Sequence, residues 1–307
     1  MCDFQLTTPI AFIIFNRPDA TERVFAEIAK AKPPKLLVVG DGARISREGE
    51  AAKVAATRAI IDRVDWPCEV VTNFSDVNLG CKLRVSSGLD WVFEEVEEAI
   101  ILEDDCLPHP TFFRFCEEML LRYRNDQRVS HVNGNNLHFG KRENNDSYYF
   151  SSFVHVWGWA SWRDRWQNDY DVSMASWPFI RNENRVEDWT ANRALQKYLI
   201  NIFELCYLSK VDTWDYQWSY AARINGRLSV VPNVNLISNI GFGLDATHTI
   251  VGNGLLDNMR VEEMNFPMNH PHGVFASRLM DEEYAARFLF VSLFQRGINK
   301  IKRLLAL

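Results

Sequence analysis

The sequence predicts an α/β fold in which a mostly parallel central sheet is flanked by helices. Short apolar runs alternate with amphipathic stretches over the first 130 residues, in the order βαβαβαβ. The runs have no polar break, which is typical of strands buried on both faces of a parallel sheet. A hydrophobic fraction of 47% in 307 residues indicates a sizeable core.

The elements of the first half follow from where apolar residues cluster and where they recur every three or four positions. The predicted strands are 9–15, 36–39, 68–72 and 100–102. The predicted helices are 20–31, 50–64, the stretch after Gly80, and 111–123. Asp19 and Glu22 have capping-box spacing, which predicts the start of the first helix.

The second half is rich in tryptophan and less regular. A short strand is predicted at 130–133 and a weakly alternating one at 150–156. Eight of the ten tryptophans lie between Trp157 and Trp218, where Trp214, Trp218 and Ala221 predict the buried stripe of a helix. The stretch 281–307 is predicted to be helical. Its basic amphipathic end can dock on the domain, dimerise or lie on an anionic membrane.

Composition argues against several classes of protein. The net charge is −6 and no dense basic stripe appears, so we expect no nucleic-acid partner. Six scattered cysteines without CxxC or zinc spacing indicate reduced core thiols in a cytosolic protein. With no signal peptide and no apolar stretch that spans a bilayer, we expect a cytoplasmic protein, at most peripheral at the inner face of the membrane.

Three adjacent acids, Glu103, Asp104 and Asp105, follow the apolar run at 100–102. Open α/β sheets bind ligands at the carboxyl ends of their strands. Neighbouring carboxylates repel each other unless a cation neutralises them, and Mg²⁺ or Mn²⁺ prefers oxygen ligands. The alternative is a solvated acidic turn, but the buried strand before the triplet and Pro108 after it favour a metal site.

Two common nucleotide-binding motifs are missing. A dinucleotide-binding fold carries G-x-G-x-x-G after its first strand, whereas this chain has Asn16-Arg17-Pro18-Asp19 there. A P-loop is also absent from the sequence. Nucleotide phosphates, where bound, must therefore be held by metal and side chains.

The order of four short motifs resembles that of the GT-A glycosyltransferases. These motifs are Asn16-Arg17-Pro18, Asp41-Gly42, Asn78-Leu79-Gly80 and Glu103-Asp104-Asp105. The first half resembles glycosyltransferase family 2, and the Glu-Asp-Asp triplet is similar to the DxD motif of the N-acetylglucosaminyltransferase I group. The resemblance covers roughly the first 250 residues. It implies a GT-A fold and a nucleotide-diphosphate sugar donor.

The resemblance also implies roles for individual residues. The last acid of the triplet binds the metal in such enzymes, which carries over to Asp105. Glu103 and Asp104 would then face the ribose and the sugar of the donor. The end of the first strand and Asp41 would frame the base. Lys82 or Arg84 would approach the diphosphate. The residues implied for donor binding are Asn16, Arg17, Asp41, Lys82, Arg84, Glu103 and Asp104. For Lys82 and Arg84, a solvated helix face is the alternative.

The second half supplies the remaining candidates. Trp157 and Trp159 flank a glycine in a predicted loop, where their faces can stack on a sugar ring. In the enzymes that the chain resembles, a late histidine often binds the metal or diphosphate, so His248, with Thr247 beside it, is a candidate. The alternative for His248 is a structural loop histidine.

Asp215 is the candidate general base. It lies in the first turn of a predicted helix, one residue off the buried stripe, where a carboxylate can also act on the helix dipole alone. A hydroxyl acceptor loses a proton as it attacks the anomeric carbon, and a positioned carboxylate can accept it. The segment is similar to the stretch holding the base in the enzymes named above, and we place Asp215 ahead of Asp212.

Taken together, these patterns predict a metal-dependent glycosyltransferase, inverting, that moves a sugar from a UDP-sugar or related donor to a glycan or glycolipid. We expect a nucleotide-sugar half at 1–130, an acceptor half at 131–250 and a helical extension at 251–307. One alternative is a sugar-nucleotidyltransferase, which should carry a G-x-G-x-R loop that is absent here. The other is a carbohydrate-binding protein without catalytic activity, which would bind glycan without metal or nucleotide.

Overall fold

The computed structural model of the chain describes residues 4–241 and 256–290. The strands are β1 (Ile10–Ile14), β2 (Lys35–Gly40), β3 (Glu69–Phe74), β4 (Glu98–Glu103), β5 (Cys106–Pro108), β6 (Val129–Asn133), β7 (Tyr148–Ser151), β8 (Trp159–Trp162), β9 (Leu228–Pro232) and β10 (Ile237–Asn239). The α-helices are α1 (Pro18–Ala31), α2 (Glu50–Ala59), α3 (Gly80–Glu95), α4 (Thr111–Tyr123), α5 (Arg163–Asp169), α6 (Trp177–Asn182), α7 (Arg193–Tyr207), α8 (Asp215–Ile224) and α9 (Arg278–Tyr284).

Eight of the strands form one mixed sheet in the order β3-β2-β1-β4-β8-β6-β9-β7. The first four strands in this order are all parallel, and β6 is also parallel to β9. β8 runs antiparallel to both β4 and β6, and β7 runs antiparallel to β9. The predicted α/β class, with a large central sheet flanked by helices, is confirmed, and four of its seven strand pairs are parallel.

The central strands bury both faces, which explains their unbroken apolar sequence. Along β1, Ile10, Phe12 and Ile14 belong to the core on one side of the sheet. Ala11 and Ile13 belong to the core on the other side, because successive side chains of a strand point to opposite faces. Strands without a solvent face cannot show polar alternation, so the apolar runs of the sequence are a consequence of this layering.

Two predicted details of the elements are wrong. The capping box at α1 does not form, since the helix begins at Pro18 and its N-cap residue Arg17 makes no side-chain cap. Proline fits the first turn of a helix because it has no N–H to satisfy there. Trp159 lies in β8 rather than in a loop, where it pairs with Ile101 of β4 and Asn133 of β6.

The helices of the second half carry their own core. Trp177, Leu199, Phe203 and Tyr220 from α6, α7 and α8 pack together, with Ala285 from the turn after α9. The predicted helix at the end of the chain is present as α9 and a π-turn at Ala285–Leu289, and its basic last part lies outside the described residues. No described helix has both the length and the apolar character required to cross a membrane.

Candidate functional site

The acid triplet lies where the parallel part of the sheet ends. Glu103 is the last residue of β4, next to Ile13 of β1 in the sheet register, and Asp104 and Asp105 form the turn that follows. Three carboxylates thus come together at the carboxyl edge of the sheet, where α/β folds bind their ligands. The predicted location of the triplet agrees with this geometry.

Arg17 supplies positive charge to the triplet. Its Nη1 lies 3.2 Å from Asp104 Oδ1 and 2.6 Å from Asp105 Oδ2, so one nitrogen bridges two acids. Asp104 Oδ2 also accepts a hydrogen bond from Phe15 N at 3.0 Å. Burial would lower the pKa of Arg17, but the surrounding charges of the acids outweigh that effect and raise it. Arg17 therefore contacts the acids in this structure.

Burial disfavours the ionised forms of Glu103 and Asp104. Desolvation, followed by the charges of Asp105 and Asp104, raises the pKa of Glu103 well above its usual value. Desolvation also raises the pKa of Asp104 to about 7, against the opposing effect of Arg17. Arg17 thus does not fully offset the burial and mutual repulsion of these carboxylates.

The residues present fit a metal ion whose coordination is completed by substrate oxygens. In residues 4–241 and 256–290, no three His, Cys, Asp or Glu side chains are arranged to hold an ion by themselves. Mg²⁺ is commonly bound by one or two carboxylates together with phosphate oxygens, so a set of three protein ligands is not required. Asp105 Oδ1 accepts a weak bond from the Cys106 thiol at 3.5 Å, whereas its Oδ2 accepts from Arg17.

Gly241 leaves space beside this carboxylate. A Cβ on Gly241 would lie 2.1 Å from Asp105 Oδ2, so any other residue would displace the acid. The neighbouring Ile240 N donates to the Asp105 carbonyl oxygen at 2.8 Å. The chain therefore passes tightly against Asp105 before the stretch that carries Thr247 and His248. Both of these candidates lie outside the described residues.

Asp41 holds a turn instead of facing outward. Its carboxylate accepts from Asn78 Nδ2 at 2.9 Å and from the backbone N–H groups of Gly42, Leu79 and Gly80 at 2.9–3.1 Å. The prediction that Asp41 frames the base is therefore corrected, because both oxygens are committed to the chain itself. This acid instead shapes the loops at the ends of β2 and β3.

Asn16 is held by Glu50, an acid outside the predicted site. Asn16 Nδ2 donates to Glu50 Oε1 at 2.8 Å, and Arg44 binds both oxygens of the same carboxylate. The hydrogen bonds from Arg44, which outweigh desolvation, lower the pKa of Glu50 to about 2. Arg44 also lies over the Phe15 ring, 5.5 Å from its centre. Glu50 thus ties the end of β1 to the loop after β2, where donor binding is predicted.

The two cations of α3 differ in position. Arg84 is buried, and it donates to the Gly40 carbonyl at 3.1 Å and to Asn73 Oδ1 at 2.7 Å. The predicted diphosphate contact of Arg84 is corrected, because this guanidinium braces the ends of β2 and β3. Lys82 is half-buried, and its Nζ lies 3.3 Å from Ser209 Oγ. A diphosphate contact for Lys82 stays a prediction.

The start of α8 approaches the triplet. Asp215 is its first residue and accepts hydrogen bonds from Thr213 Oγ1 and Tyr216 N. Desolvation contributes most to the raised pKa of Glu103, and the charge of Asp215 adds to it. Asp212 has another task, since its side chain accepts from Cys81 N and Lys82 N at the start of α3. The two acids therefore have different hydrogen-bond partners.

The tryptophan-rich segment is mainly core. Trp159 is fully buried between the ring of His131, at 4.9 Å, and that of Trp214, at 5.7 Å. Its predicted acceptor contact is therefore corrected, because an aromatic side chain inside the sheet core cannot meet a sugar. Trp157 is half-buried and packs against the opposite core, so it remains a candidate. The other tryptophans that are buried are Trp162, Trp166, Trp177, Trp214 and Trp218.

Comparison with known proteins identifies no family. No family model matches the chain, and no curated protein matches it. Among solved structures, it is similar to the 1–349 fragment of S. aureus TarS, with 7% identity over 74% of this chain and 58% of that one, at a TM-score of 0.42. It is also similar to a 4-diphosphocytidyl-2C-methyl-D-erythritol synthase from Anaerococcus prevotii, with 11% identity over 57% of this chain and 84% of that one, at a TM-score of 0.33. Similarities of this degree identify no activity for this chain.

Proposed function

We propose that this protein is a glycosyltransferase of the GT-A type that transfers a sugar from a nucleotide-diphosphate donor to a hydroxyl of a glycan or glycolipid. The observation that carries the proposal is the triplet Glu103, Asp104 and Asp105 at the carboxyl edge of the sheet. Trp214, the residue before Asp215, stacks on Trp159, which pairs with Ile101 of the same strand β4. The triplet comes from the parallel half, and Asp215 comes from a helix of the second half. Two separate acidic elements at one edge suit a reaction with a leaving group and an attacking hydroxyl.

The chain's own residues would divide the donor between them. Phe15 and Asn16 follow β1 beside the triplet, and Glu50 holds Asn16 in place, so we assign the nucleoside to this end of the sheet. Asp104, held by Phe15 N and Arg17, is proposed to accept hydrogen bonds from hydroxyl groups of the donor. Lys82, at the first turn of α3, is proposed to approach the diphosphate.

We propose that Asp105 holds Mn²⁺ or Mg²⁺ together with the donor's phosphate oxygens. The ion, when bound, would stabilise the negative charge that develops on the leaving diphosphate. Arg17 contacts the same carboxylate and would help to neutralise this edge of the sheet. His248 is a further proposed ligand of the metal or the diphosphate.

We propose that Asp215 is the general base and that the reaction inverts the anomeric configuration. A single displacement needs one carboxylate beside the acceptor hydroxyl, on the side opposite to the leaving group. The backbone N–H of Tyr216 holds one oxygen of Asp215, which fixes the carboxylate at the start of α8. No second acid of the described segments has an equal claim to act as a nucleophile on the other face of the sugar.

The burial of most tryptophans weighs against a simple carbohydrate-binding protein. Six of the eight between Trp157 and Trp218 are buried, so they cannot form a stacking platform for free glycan. A platform of that kind would present its aromatic faces to solvent. Only Trp157 and Trp189 are partly exposed among these eight.

The metal assignment is tested by calorimetry with nucleotide sugars, with and without Mn²⁺. We expect Mn²⁺-dependent binding by the native protein and its loss in Asp105→Asn, because the amide presents one neutral oxygen to the ion. Asp126→Asn is a matched control, since this acid pairs with Arg128 at the surface, away from the triplet. Unchanged metal-dependent affinity in Asp105→Asn would refute the assignment.

The base assignment is tested by measuring transfer and product stereochemistry once a donor is known. We expect Asp215→Asn to lower the rate of transfer by about 10²–10⁴-fold, as is usual for loss of a general base. Donor affinity should stay near that of the native protein, because Asp215 is assigned to the acceptor side. Retention of configuration by NMR, or undiminished transfer by the variant, would show that the mechanism is misassigned.

A further inference from the structure

The loop between β7 and β8 runs along the same edge of the sheet as the acid triplet. β8 is antiparallel to both β4 and β6, so β4 and β6 run in the same direction and end at this edge. Gly158, the last residue of the loop, accepts a hydrogen bond from Gly134 N at 2.7 Å. A Cβ on Gly158 would lie 3.3 Å from Leu102 Cδ2, one residue before the triplet. The loop therefore passes the end of β4 before it enters β8.

The backbone of His155, in the middle of this loop, is held on both sides by side chains of β6. His155 N donates to Asn133 Oδ1 at 2.7 Å, and His131 Nε2 lies 2.8 Å from the His155 carbonyl oxygen. Trp218 Nε1 lies 3.1 Å from His131 Nδ1 and can only donate, so Nε2 carries the proton that binds the carbonyl. His131 and Asn133 are fully buried. A buried polar network thus fixes the chain at residue 155.

The imidazole of His155 takes no part in that network. Within residues 4–241 and 256–290, neither ring nitrogen has a hydrogen-bond partner, and neither is a fully buried atom, because the side chain is only half-buried. The ring packs edge-on against Tyr284, with 4.7 Å between the ring centres. Burial, followed by the effects of His131 and His138, lowers the pKa of His155 to about 3. At neutral pH the ring therefore offers one uncharged donor and one acceptor.

The helix that carries the proposed base anchors this loop. The histidine ring that holds the His155 carbonyl also binds Trp218, three residues after Asp215 on α8. Three residues span about 4.5 Å along a helix axis. Val154 and Val156, the neighbours of His155, pack against the same core as Trp218. His155 therefore lies on the side of the sheet that α8 covers.

We propose that His155 binds a hydroxyl group of the acceptor sugar through its free ring nitrogens. The inference rests on the proposed function and names the residue that would recognise the acceptor. The nucleoside is assigned to the end of β1, and β8 and β6 lie on the opposite side of β4 in the sheet order. A hydroxyl both donates and accepts hydrogen bonds, as does a neutral imidazole. Because the backbone of His155 is already fixed, little further ordering opposes binding.

The kinetic test compares the native full chain with His155→Phe, which keeps a ring against Tyr284 and removes both nitrogens. The acceptors are the methyl glycosides of glucose, galactose, mannose and N-acetylglucosamine, with the nucleotide sugar found by calorimetry as donor. We expect the acceptor KM to rise about 5- to 50-fold, and by more than any change in kcat, because a hydrogen bond to the acceptor is lost. His155→Gln retains a donor and an acceptor and should recover part of the loss. His272→Phe is the matched control, because His272 is exposed, and its acceptor KM should equal that of the native protein.

Binding is also measured without turnover, from long-range proton–nitrogen NMR spectra of the histidine rings. The signals of His155 are identified by their absence from His155→Phe. We expect the ring nitrogens of His155 to shift when the methyl glycoside that serves as acceptor is added, whereas those of the exposed His272 should not move. A purely structural histidine would not respond to the sugar. Unchanged His155 signals with all four glycosides would refute the proposal.

The remaining outcomes separate the role of His155 from the proposed function. Urea unfolding of His155→Phe should match that of the native protein, because the ring nitrogens bind no group in the described part of the chain, and a large loss of stability would overturn that argument. A loss of donor affinity as large as the loss for the acceptor would place His155 on the donor and refute the proposal. Absence of Mn²⁺-dependent donor binding by the native protein would instead count against the proposed transferase.

Discussion

The Glu50 network offers a test in which the magnitude follows from the structure. Arg44 donates to Glu50 from its backbone N–H at 2.7 Å, from Nε at 3.0 Å and also from Nη2, and Asn16 Nδ2 adds a fourth donor at 2.8 Å. These bonds, led by those from the Arg44 side chain, lower the pKa of Glu50 from 4.5 to about 2. A carboxyl whose pKa is lower in the folded state stabilises the fold above its unfolded pKa, and this contribution is lost as the pH falls toward 2.

The size of the effect can be stated in advance. At about 1.4 kcal/mol per pKa unit, the shift corresponds to a ceiling of about 3 kcal/mol. The Arg44 side chain is 35% exposed, so solvent screening reduces the ceiling, and we expect about 1–2 kcal/mol. Glu50→Gln should lower the free energy of unfolding by this amount at neutral pH. The difference from the native protein should shrink by more than half between pH 7 and pH 3.

Urea unfolding at a series of pH values measures this difference directly. Glu22→Gln is the matched control, because Glu22 forms an ion pair with Arg63 in which both side chains are about half exposed. Pairs of that kind contribute roughly 0–1 kcal/mol, so the control should show little change. A Glu50→Gln difference that is independent of pH, or one equal to that of the control, would contradict the reasoning.

Two further substitutions test the acids that hold the loops around the site. Asp41→Ala should lower the free energy of unfolding by about 2–4 kcal/mol in urea titrations, because it leaves the N–H groups of the turn at Leu79 and Gly80 without their buried acceptor. An effect below about 0.5 kcal/mol would show that water replaces the carboxylate. Asp212→Ala should cost about 0.5–2 kcal/mol as the loss of a helix cap at α3, while transfer activity falls far less than in Asp215→Asn. Similar losses of transfer activity in the two variants would contradict the assignment of Asp215, rather than Asp212, as the base.

The parallel half of the fold was predictable because its strands are buried on both faces. The predicted ranges 36–39 and 100–102 lie inside β2 and β4, and the predicted helix at 111–123 matches α4. Apolar content alone is sufficient to locate such strands, since no solvent face interrupts it. The position of the acid triplet follows, because the end of β4 also marks the sheet edge.

Side-chain direction was not predictable in the same way. Arg84 is a cation on the first turns of a helix, a common place for an anion contact, but the docking of α3 turns it toward the carbonyl of Gly40. Trp159 follows a glycine, which favours a loop, yet Gly158 has a φ of +62° and only turns the chain into β8. In both cases the deciding partner is a distant segment, and local spacing carries no information about it.

The structure distinguishes Asp212 from Asp215 by their hydrogen-bond partners, which the sequence does not reveal. Both acids precede or begin α8, and spacing alone ranks them only weakly. Asp212 caps another helix through the backbone N–H groups of Cys81 and Lys82. Asp41 likewise holds a turn, so acids around this edge of the sheet repeatedly serve to position loops. Asp215 instead bonds to its own turn and acts electrostatically on Glu103, which joins the second half of the chain to the triplet. We therefore propose Asp215 ahead of Asp212 and Asp41 as the base, because the carboxylates of the other two hold loops.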